Sequence, residues 1–201
     1  MTRAPLLLAG MACLASVPAC GRAPAADESA AAPEAARAVT ANSGQSAYGA
    51  RAKAKLIGGE GERIGDVLAW QGVQGVVIQL RANNLPSGWH GVHLHMTGDC
   101  SDTGVFKASG GHVEGEGGPH GFLHPGGAHG GDLPNVYAYA DGSARADFFT
   151  SSVALSDVTD SDGAALIIHA APDDYQTQPI GGAGARIACA AFGPRNPNPP
   201  K

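Results

Sequence analysis

In the stretch VVIQLR, residues 76–81, apolar side chains alternate with side chains of mixed polarity, and this pattern decides the fold class. Positions 76, 78 and 80 are apolar, whereas positions 77, 79 and 81 include Gln79 and Arg81. Successive side chains of an extended chain point to opposite faces, so this spacing places three apolar residues on one side. The stretch therefore predicts a β-strand that buries one face and exposes the other.

Two further segments extend this interpretation along the chain. The sequence NVYAYADGSARADFF, residues 135–149, carries Asp141-Gly142 between two strand-like runs, and Asp-Gly is a frequent hairpin turn. The run AALIIHA, residues 164–170, is apolar and rich in β-branched residues. No segment shows helical periodicity over three turns. We predict an all-β protein, an antiparallel β-barrel or sandwich with two long functional loops at roughly 98–135 and 170–186.

The first nineteen residues, 1–19, have the features of a signal peptide. Arg3 precedes the apolar run PLLLAGMACLASV, which is too short to span a bilayer. The following VPAC resembles a bacterial lipobox with Cys20 as the lipidated residue, although Pro18 replaces the usual small residue. Two outcomes stay open: a lipid anchor at Cys20 that holds the protein on a membrane, or plain cleavage after Ala19. Both predict an exported, periplasmic protein.

The rest of the chain divides by composition. Residues 20–47 are rich in Ala and Pro and predict a disordered tether, residues 48–193 predict one domain, and residues 194–201 predict a flexible tail. The net charge is −5 and there is no basic tract, which argues against nucleic acid as a partner. The sequence leaves both a monomer and a homodimer open.

The four cysteines also fit an exported protein. Cys13 lies in the predicted signal peptide and Cys20 at its end, which leaves Cys100 and Cys189 in the predicted domain. Disulfides persist in exported proteins, so these two residues are expected to form one. The alternative is two unrelated buried thiols.

Three of the eight histidines crowd into GWHGVHLHMTGDC, residues 88–100. If GVHLHM is a strand, its apolar residues, Met96 among them, face the core. His93 and His95 then share the outer face, where they either bind one metal ion or are simply exposed to solvent. His169, at the end of the run ALIIH, is placed to join them, and four imidazoles around one ion favour copper.

A second set of candidate ligands follows in the chain. Three imidazoles and one carboxylate form a tetrahedral zinc set, and the chain supplies His112, His120, His129 and Asp132. The chain can supply both a copper set of four imidazoles and a zinc set of three imidazoles and a carboxylate only if one histidine belongs to both sets.

These motifs together resemble the copper/zinc superoxide dismutase family of the bacterial periplasmic kind. The resemblance rests on HGVHLH, GDCSD, SGGH, HGGDLPN, ALIIHA, DDY and GAGARIAC, which follow the family's order across nearly all of residues 50–192. It implies a Greek-key β-barrel of immunoglobulin-like architecture. It also implies dismutation of superoxide to dioxygen and hydrogen peroxide by copper redox cycling, with a structural zinc.

The resemblance further implies a role for individual residues. The copper ligands would be His93, His95, His112 and His169. The zinc ligands would be His112, which bridges both ions, and His120, His129 and Asp132. Arg186 would lie beside copper and attract superoxide, so that Arg186 and His112 would be the catalytic side chains. Asp173 would link a copper histidine to a zinc histidine, and Cys100 and Cys189 would form the disulfide.

The chain departs from the family's pattern at two places. HVEGEG, residues 112–117, replaces a segment that often continues as Phe-Asn-Pro after the bridging histidine. Gln176 stands where bacterial relatives often carry Lys, which leaves Arg186 as the only basic side chain between His169 and Cys189. Because attraction of an anion depends on local positive potential, we expect a slower enzyme than a Lys-bearing relative.

Two histidines fall outside both ligand sets. The resemblance implies that His90 braces backbone segments, and His124 is expected to be a solvated loop residue. The rival to an enzyme is a periplasmic copper-binding or chaperone protein on the same fold. Retention of all four copper positions and of Arg186 argues against that rival.

Overall fold

The structure, a computed structural model, describes residues 49–115 and 117–193. The eight strands are β1 Arg51–Gly58, β2 Arg63–Gln71, β3 Val76–Ala82, β4 Gly88–His95, β5 Asp132–Ala138, β6 Ala144–Thr150, β7 Ala164–His169 and β8 Arg186–Phe192. Helical structure in the described residues is limited to a 3₁₀ turn at Lys107–Ser109 and the four-residue helix α1 at Leu155–Val158. The all-β prediction is therefore confirmed. The predictions for residues 1–47 and 194–201, including Cys20, lie outside the described residues.

All eight strands form one antiparallel sheet in the order β5-β4-β7-β8-β1-β2-β3-β6. The edge strands β5 and β6 are consecutive in the chain and contact each other, so the sheet curls into a nearly closed barrel. The connections from β3 to β4 and from β6 to β7 join strands that are not neighbours, as in a Greek key. The predicted barrel architecture is confirmed.

The Asp141-Gly142 turn occurs where the sequence predicts it. The amide of Gly142, at φ 78°, donates to the carbonyl of Tyr139 at 2.9 Å, and the Asp141 carboxylate accepts from the amide of Ser143 at 2.9 Å. Beyond the bond from the Tyr139 amide to the Ser143 carbonyl at 2.9 Å, the flanking strands β5 and β6 form no ladder of backbone hydrogen bonds. The turn therefore closes the barrel instead of forming an ordinary hairpin.

The burial of the strands follows the alternation in β3 but not in β7. Val76, Ile78 and Leu80 are fully buried in the barrel interior and Arg81 is exposed, which confirms the prediction for this segment. Strand β7 is buried along its whole length. Its inward residues join the main core, while the outward Ile167 packs with Phe106 from the loop between β4 and β5. A loop thus covers the outer face of this strand.

Two long connections cover that outer face. The first loop, residues 96–131, joins β4 to β5, and the second loop, residues 170–185, joins β7 to β8. The first ends earlier than expected, because residues 132–135 already belong to β5. A disulfide between Cys100 and Cys189 ties the first loop to β8, with a Cα–Cα distance of 5.9 Å. Closing a chain segment of this length contributes roughly 4 kcal/mol to stability.

The prediction that Met96 belongs to the core is wrong. Strand β4 ends at His95, and Met96 is 46% exposed. The amide of Met96 donates to Gly111, and His95 forms an isolated bridge with His112. The returning first loop therefore pairs with this end of the strand and turns Met96 away from the barrel.

Among the described residues, no helix has both the length and the apolar character needed to cross a membrane.

Candidate metal centre

The strand β4 places His93 and His95 on the outer face of the barrel, and both side chains are nevertheless fully buried. The two loops fold over this part of the sheet and cover them. His169 ends the neighbouring strand β7, and His112 comes from the part of the first loop that bridges to His95. The alternative of solvent-exposed histidines on a bare strand is therefore excluded by their burial.

The first group consists of four buried imidazoles whose ligand atoms all lie within 4.8 Å of one another: His93, His95, His112 and His169. Each ring points one nitrogen into the group, namely Nδ1 of His93 and Nε2 of the other three, and none of the four nitrogens has a hydrogen-bond partner. A buried polar atom without a partner costs about 1–3 kcal/mol. Four such atoms that converge are the arrangement that a metal ion would satisfy.

The opposite nitrogen of each ring is held in place. Nδ1 of His95 lies 2.8 Å from the Gly110 carbonyl, and Nδ1 of His169 lies 3.0 Å from the Gly184 carbonyl. Because a carbonyl accepts, these two nitrogens carry the proton and leave Nε2 with its lone pair. Metal-ligating histidines are oriented in this way by the partner of their second nitrogen.

Burial also keeps these rings neutral. Desolvation lowers the pKa of His95 to about 2, of His169 to about 3 and of His112 to about 4. At neutral pH the lone pairs are therefore available without loss of a proton, which is the state that a metal ion requires.

The second group lies around one carboxylate. Nδ1 of His112 and Nδ1 of His120 are each 2.9 Å from Oδ1 of Asp132, the first residue of β5. Nδ1 of His129 lies 3.2 Å from Nδ1 of His112 and 3.7 Å from the same oxygen. A set of four ligand atoms that all lie within 4.8 Å of one another includes His93 in place of His129. The structure thus gathers all four residues that the sequence assigned to zinc, with His129 at the rim.

The charges of the second group differ from those of the first. Burial opposes ionisation of Asp132, but hydrogen bonds with His112 and His120 hold the pKa of this carboxyl well below its ordinary value. Burial also opposes protonation of His120, yet hydrogen bonds to Asp132 and Asp173 raise the pKa of this ring to about 9. At neutral pH the second group consequently holds an anionic carboxylate, Asp132, beside a protonated and positively charged His120.

One ring directs a different nitrogen into each group. His112 directs Nδ1 to the Asp132 carboxylate and Nε2 into the first group. Its ring centroid lies 4.1 Å from that of His93 in the first group and 5.2 Å from that of His120 in the second. The sequence predicts that the two ligand sets share one histidine, and in the structure His112 lies between the two groups.

Asp173, in the second loop, connects the two groups a second time. Its Oδ2 lies 2.8 Å from Nε2 of His93 and its Oδ1 lies 3.1 Å from Nε2 of His120. Burial opposes ionisation, but hydrogen bonds with these two rings hold its pKa well below the ordinary value. Gly181, at φ 60°, approaches so closely that an added Cβ would lie 1.6 Å from the carboxylate. Only glycine fits at that position.

Arg186 begins β8 and is held by the first loop. Its Nη1 donates to the Phe106 carbonyl at 2.6 Å and to Oγ of Ser109 at 3.0 Å, and its Nη2 donates to the Gly110 carbonyl at 2.8 Å. Burial lowers the pKa of Arg186 from its ordinary value, but a guanidinium stays charged in proteins. Three of its five N–H groups are thus used. The N–H of Nε and one N–H of Nη2 are left for an anion.

Three residues of the site escaped the sequence analysis. Ser109 is buried and contacts Arg186, and Lys107 lines a cavity of about 250 Å³ together with Arg186. Asn135 uses its side-chain amide to hold Asp173, donating to its carbonyl at 2.8 Å and accepting from its amide at 2.9 Å. The sequence comparison with the family concerned basic residues of the second loop, whereas Lys107 lies in the first. Nothing in the sequence pattern singles out Ser109 or Asn135.

The two remaining histidines lie outside both groups. His90 is buried, and its two ring nitrogens lie 2.7 Å from the carbonyls of His169 and Pro86, so this ring braces two backbone segments. His124 lies in the first loop, where its Nδ1 accepts from the amide of Gly126 at 3.0 Å.

An antiparallel barrel that carries two adjoining ligand groups, joined by one imidazole, has the architecture of a β-barrel metalloprotein with paired ion sites. A family model described as copper/zinc superoxide dismutase matches residues 63–192. This match spans more than half of the chain, and the chain belongs to the copper/zinc superoxide dismutase family.

Individual relatives agree with the family assignment. The chain is similar to a copper/zinc superoxide dismutase of Caulobacter vibrioides, with 41% identity over 148 residues that cover 70% of this chain and 84% of the relative. Among solved structures, a SOD-like protein from Bacillus subtilis has a TM-score of 0.66 at 35% identity and covers 70% of this chain and 97% of its own. The copper/zinc superoxide dismutase from Brucella abortus has a TM-score of 0.61 at 26% identity, covering 71% and 99%.

Proposed function

We propose that this chain catalyses the dismutation of superoxide to dioxygen and hydrogen peroxide, with one copper and one zinc ion per chain. The observation that carries the proposal is the convergence of four buried ring nitrogens without hydrogen-bond partners. Membership of the copper/zinc superoxide dismutase family supports it independently.

The donor sets fit the two ions. The proposed copper ligands are His93, His95, His112 and His169, four neutral imidazoles of the kind that copper accepts. The proposed zinc ligands are His112, His120, His129 and Asp132, three imidazoles and a carboxylate as in tetrahedral zinc sites. Copper, when bound, supplies the redox couple that accepts an electron from one superoxide and returns it to the next.

The surrounding residues would bind the anion and supply a proton. Arg186 presents two unused N–H groups beside the first group, and Lys107 adds positive charge to the same cavity. His112 is able to hold a proton at Nε2 for the peroxide product, because its Nδ1 is retained on the Asp132 side. The predicted slowing effect of Gln176 stays a prediction, and Lys107 is expected to offset part of it.

The test is a superoxide decay assay on the purified full chain loaded with copper and zinc, with metal content measured on the same sample. We expect the variant Arg186→Ala to lose roughly tenfold or more in rate while it keeps both ions. The matched control is Arg145→Ala, which removes the same charge from an exposed position of β6. A fully loaded chain that leaves superoxide decay unchanged would refute the proposal.

That refuting result would instead support the alternative, a copper-binding or chaperone protein on the same fold. This alternative is not favoured, because the relatives from Caulobacter vibrioides and Brucella abortus are named superoxide dismutases and because Arg186 is present and held beside the copper group. The proposal leaves two quaternary states, a monomer and a homodimer, which light scattering of the loaded chain separates.

The proposal includes export to the periplasm. It assigns residues 1–19 to a signal peptide, 20–47 to a tether, 48–193 to the enzyme domain and 194–201 to a tail. The disulfide between Cys100 and Cys189 supports export, since such bonds persist in oxidising compartments. Cell fractionation and the intact mass of the mature protein test it. A lipid mass on Cys20 indicates anchoring, an unmodified Cys20 at the N-terminus indicates plain cleavage, and a cytoplasmic chain that keeps Met1 contradicts export.

A further inference from the structure

The outer face of β1, β2, β3 and β6 carries most of the positive charge of the described residues. The described part contains eight Lys and Arg residues, of which only Lys107 and Arg186 belong to the metal centre. The other six all project from this four-stranded face, which we call the basic face: Arg51, Lys53, Lys55, Arg63, Arg81 and Arg145.

The strand register shows how these residues line up. One cross-strand row consists of directly paired residues from all four strands: Lys55, Asp66, Arg81 and Arg145. The next row, two residues along, consists of Lys53, Leu68, Gln79 and Asp147. The basic face therefore carries six cations against two carboxylates, a net charge of +4, in a chain whose net charge is −5.

Most of this charge is not neutralised by neighbours. Asp66 forms ion pairs with Lys53 and Arg63. Within residues 49–115 and 117–193, the remaining four cations of the basic face form no ion pair. Glu60 and Glu62 lie in the turn between β1 and β2, beyond the end of the rows.

The pairing of Arg81 with Arg145 costs stability. These residues are directly opposite each other on adjacent strands, and like charges in that position repel. Between them lies a surface hollow of about 270 Å³, lined also by Gln79 and Asp147. Two exposed guanidinium groups around an open hollow are suited to bind an external anion such as a phosphate group.

The third row of the same face is apolar apart from Arg51. It consists of Arg51, Trp70, Val77 and Phe149, again directly paired across the strands. Phe149 is 58% exposed, and Val73, in the adjoining turn between β2 and β3, is 79% exposed. Cations followed by exposed aromatic and aliphatic side chains match the boundary between lipid headgroups and acyl chains. A soluble polyanion would not account for the apolar row.

We propose that the basic face docks on an anionic phospholipid membrane, with its cations on headgroup phosphates and its apolar row at the boundary to the acyl chains. The face is four strands wide, and Gly49, where the described part begins, lies at its edge with its amide 3.0 Å from the carbonyl of Gln71 in β2. A second copy that docks face to face would present the same positive charge, and this symmetric arrangement is therefore disfavoured. The proposal does not depend on superoxide chemistry.

The test measures binding of the full metal-loaded chain to two kinds of vesicle. One kind contains phosphatidylcholine alone, and the other also contains phosphatidylglycerol. Any attachment through the N-terminal segment is common to both, so the readout is the difference in binding between them at low and at high salt. We expect preferential binding to the anionic vesicles that disappears at high salt.

Two double variants then distinguish an effect of the basic face from an effect of the net charge of the chain. Arg81→Gln with Arg145→Gln removes two positive charges from the basic face and is expected to weaken binding to anionic vesicles roughly tenfold or more. Ser101→Glu with Ser161→Glu changes net charge by the same amount at exposed positions elsewhere and should have a much smaller effect. Both variants should keep the superoxide decay rate, which separates this proposal from the enzymatic one.

Three results would overturn the proposal: equal binding to both vesicle types, equal loss in the two double variants, or binding that persists at high salt. A wild-type chain that binds soluble polyphosphate but neither kind of vesicle would assign the basic face to a soluble polyanion and would also overturn it.

Discussion

The two ligand groups share one ring, yet they are built in opposite ways. Three rings of the first group come from the ends of the barrel strands β4 and β7. The second group draws all three of its rings, His112, His120 and His129, from the first loop and depends on Asp132 as a common acceptor. A site fixed by strands should keep its geometry when a loop changes, whereas a site fixed by one carboxylate should fail as a unit.

The largest expected effect comes from removing that carboxylate. Asp132→Ala leaves His112 and His120 without their acceptor and frees the amides of Gly121 and His129. We expect zinc affinity to fall at least a hundredfold while copper is retained. Metal analysis of the purified variant after equilibrium dialysis measures both. Retention of zinc would show that the imidazoles alone define the second group.

The reciprocal change is His169→Ala. It removes one strand-held ring from the first group and leaves the contacts of Asp132 untouched. Copper affinity is expected to fall roughly a hundredfold and superoxide decay to stop, while zinc stays at one per chain. Coupled loss of both ions in this variant would contradict the independence of the two groups.

A smaller effect is expected from Gly181→Ala, whose new methyl group would displace the Asp173 carboxylate. Because Asp173 orients one ring of each group, we expect both metal affinities to fall roughly tenfold. The matched control is Gly182→Ala, since Gly182 also has a positive φ, of 67°, but has open space around its Cβ position. Equal losses in the two variants would indicate backbone strain as the cause.

The pH dependence of metal uptake should also separate the groups. The pKa of His120 is raised to about 9, so below that pH zinc must displace a proton, and zinc affinity should fall about tenfold per pH unit on acidification. In the zinc-free chain Nδ1 of His112 keeps its proton on the Asp132 side, and the pKa values of His95, His112 and His169 lie at about 4 or below. Copper affinity measured without zinc should therefore be nearly constant between about pH 5 and 8. Calorimetric titration in buffers of different ionisation enthalpy counts the released protons. Equal proton release for the two ions would contradict the distinction.

The smallest expected effect is that of Ser109→Ala. It removes one of three acceptors that hold Arg186 and leaves every proposed metal ligand in place. We expect a loss of a few-fold in the superoxide decay rate with unchanged metal content, together with weaker inhibition by small anions. An unchanged rate would show that the two backbone carbonyls suffice to position the guanidinium.

The sequence predicted what depends on local pattern. The alternation at residues 76–81 indicated a strand, the Asp141-Gly142 pair indicated a turn, and the spacing of the histidines indicated two ligand groups that share a member. The fold agrees with the first two, and it brings all the predicted ligands together.

What the sequence did not predict depends on residues far apart in the chain. Met96 leaves the core because a returning loop pairs beside it, and Ser109 reaches Arg186 across 77 positions. The basic face shows the same limit. Its cations occupy scattered positions on four strands, so the sequence contains no basic tract although the fold concentrates positive charge on one side.

One backbone oxygen of the metal centre positions two of its side chains at once. The carbonyl oxygen of Gly110 receives both Nδ1 of His95 and Nη2 of Arg186. The same backbone oxygen therefore positions a proposed copper ligand and the side chain proposed to attract the anion. If thermal motion shifts that stretch of backbone, both partners shift in the same direction, and the spacing between ion and incoming anion is preserved while the loop itself moves.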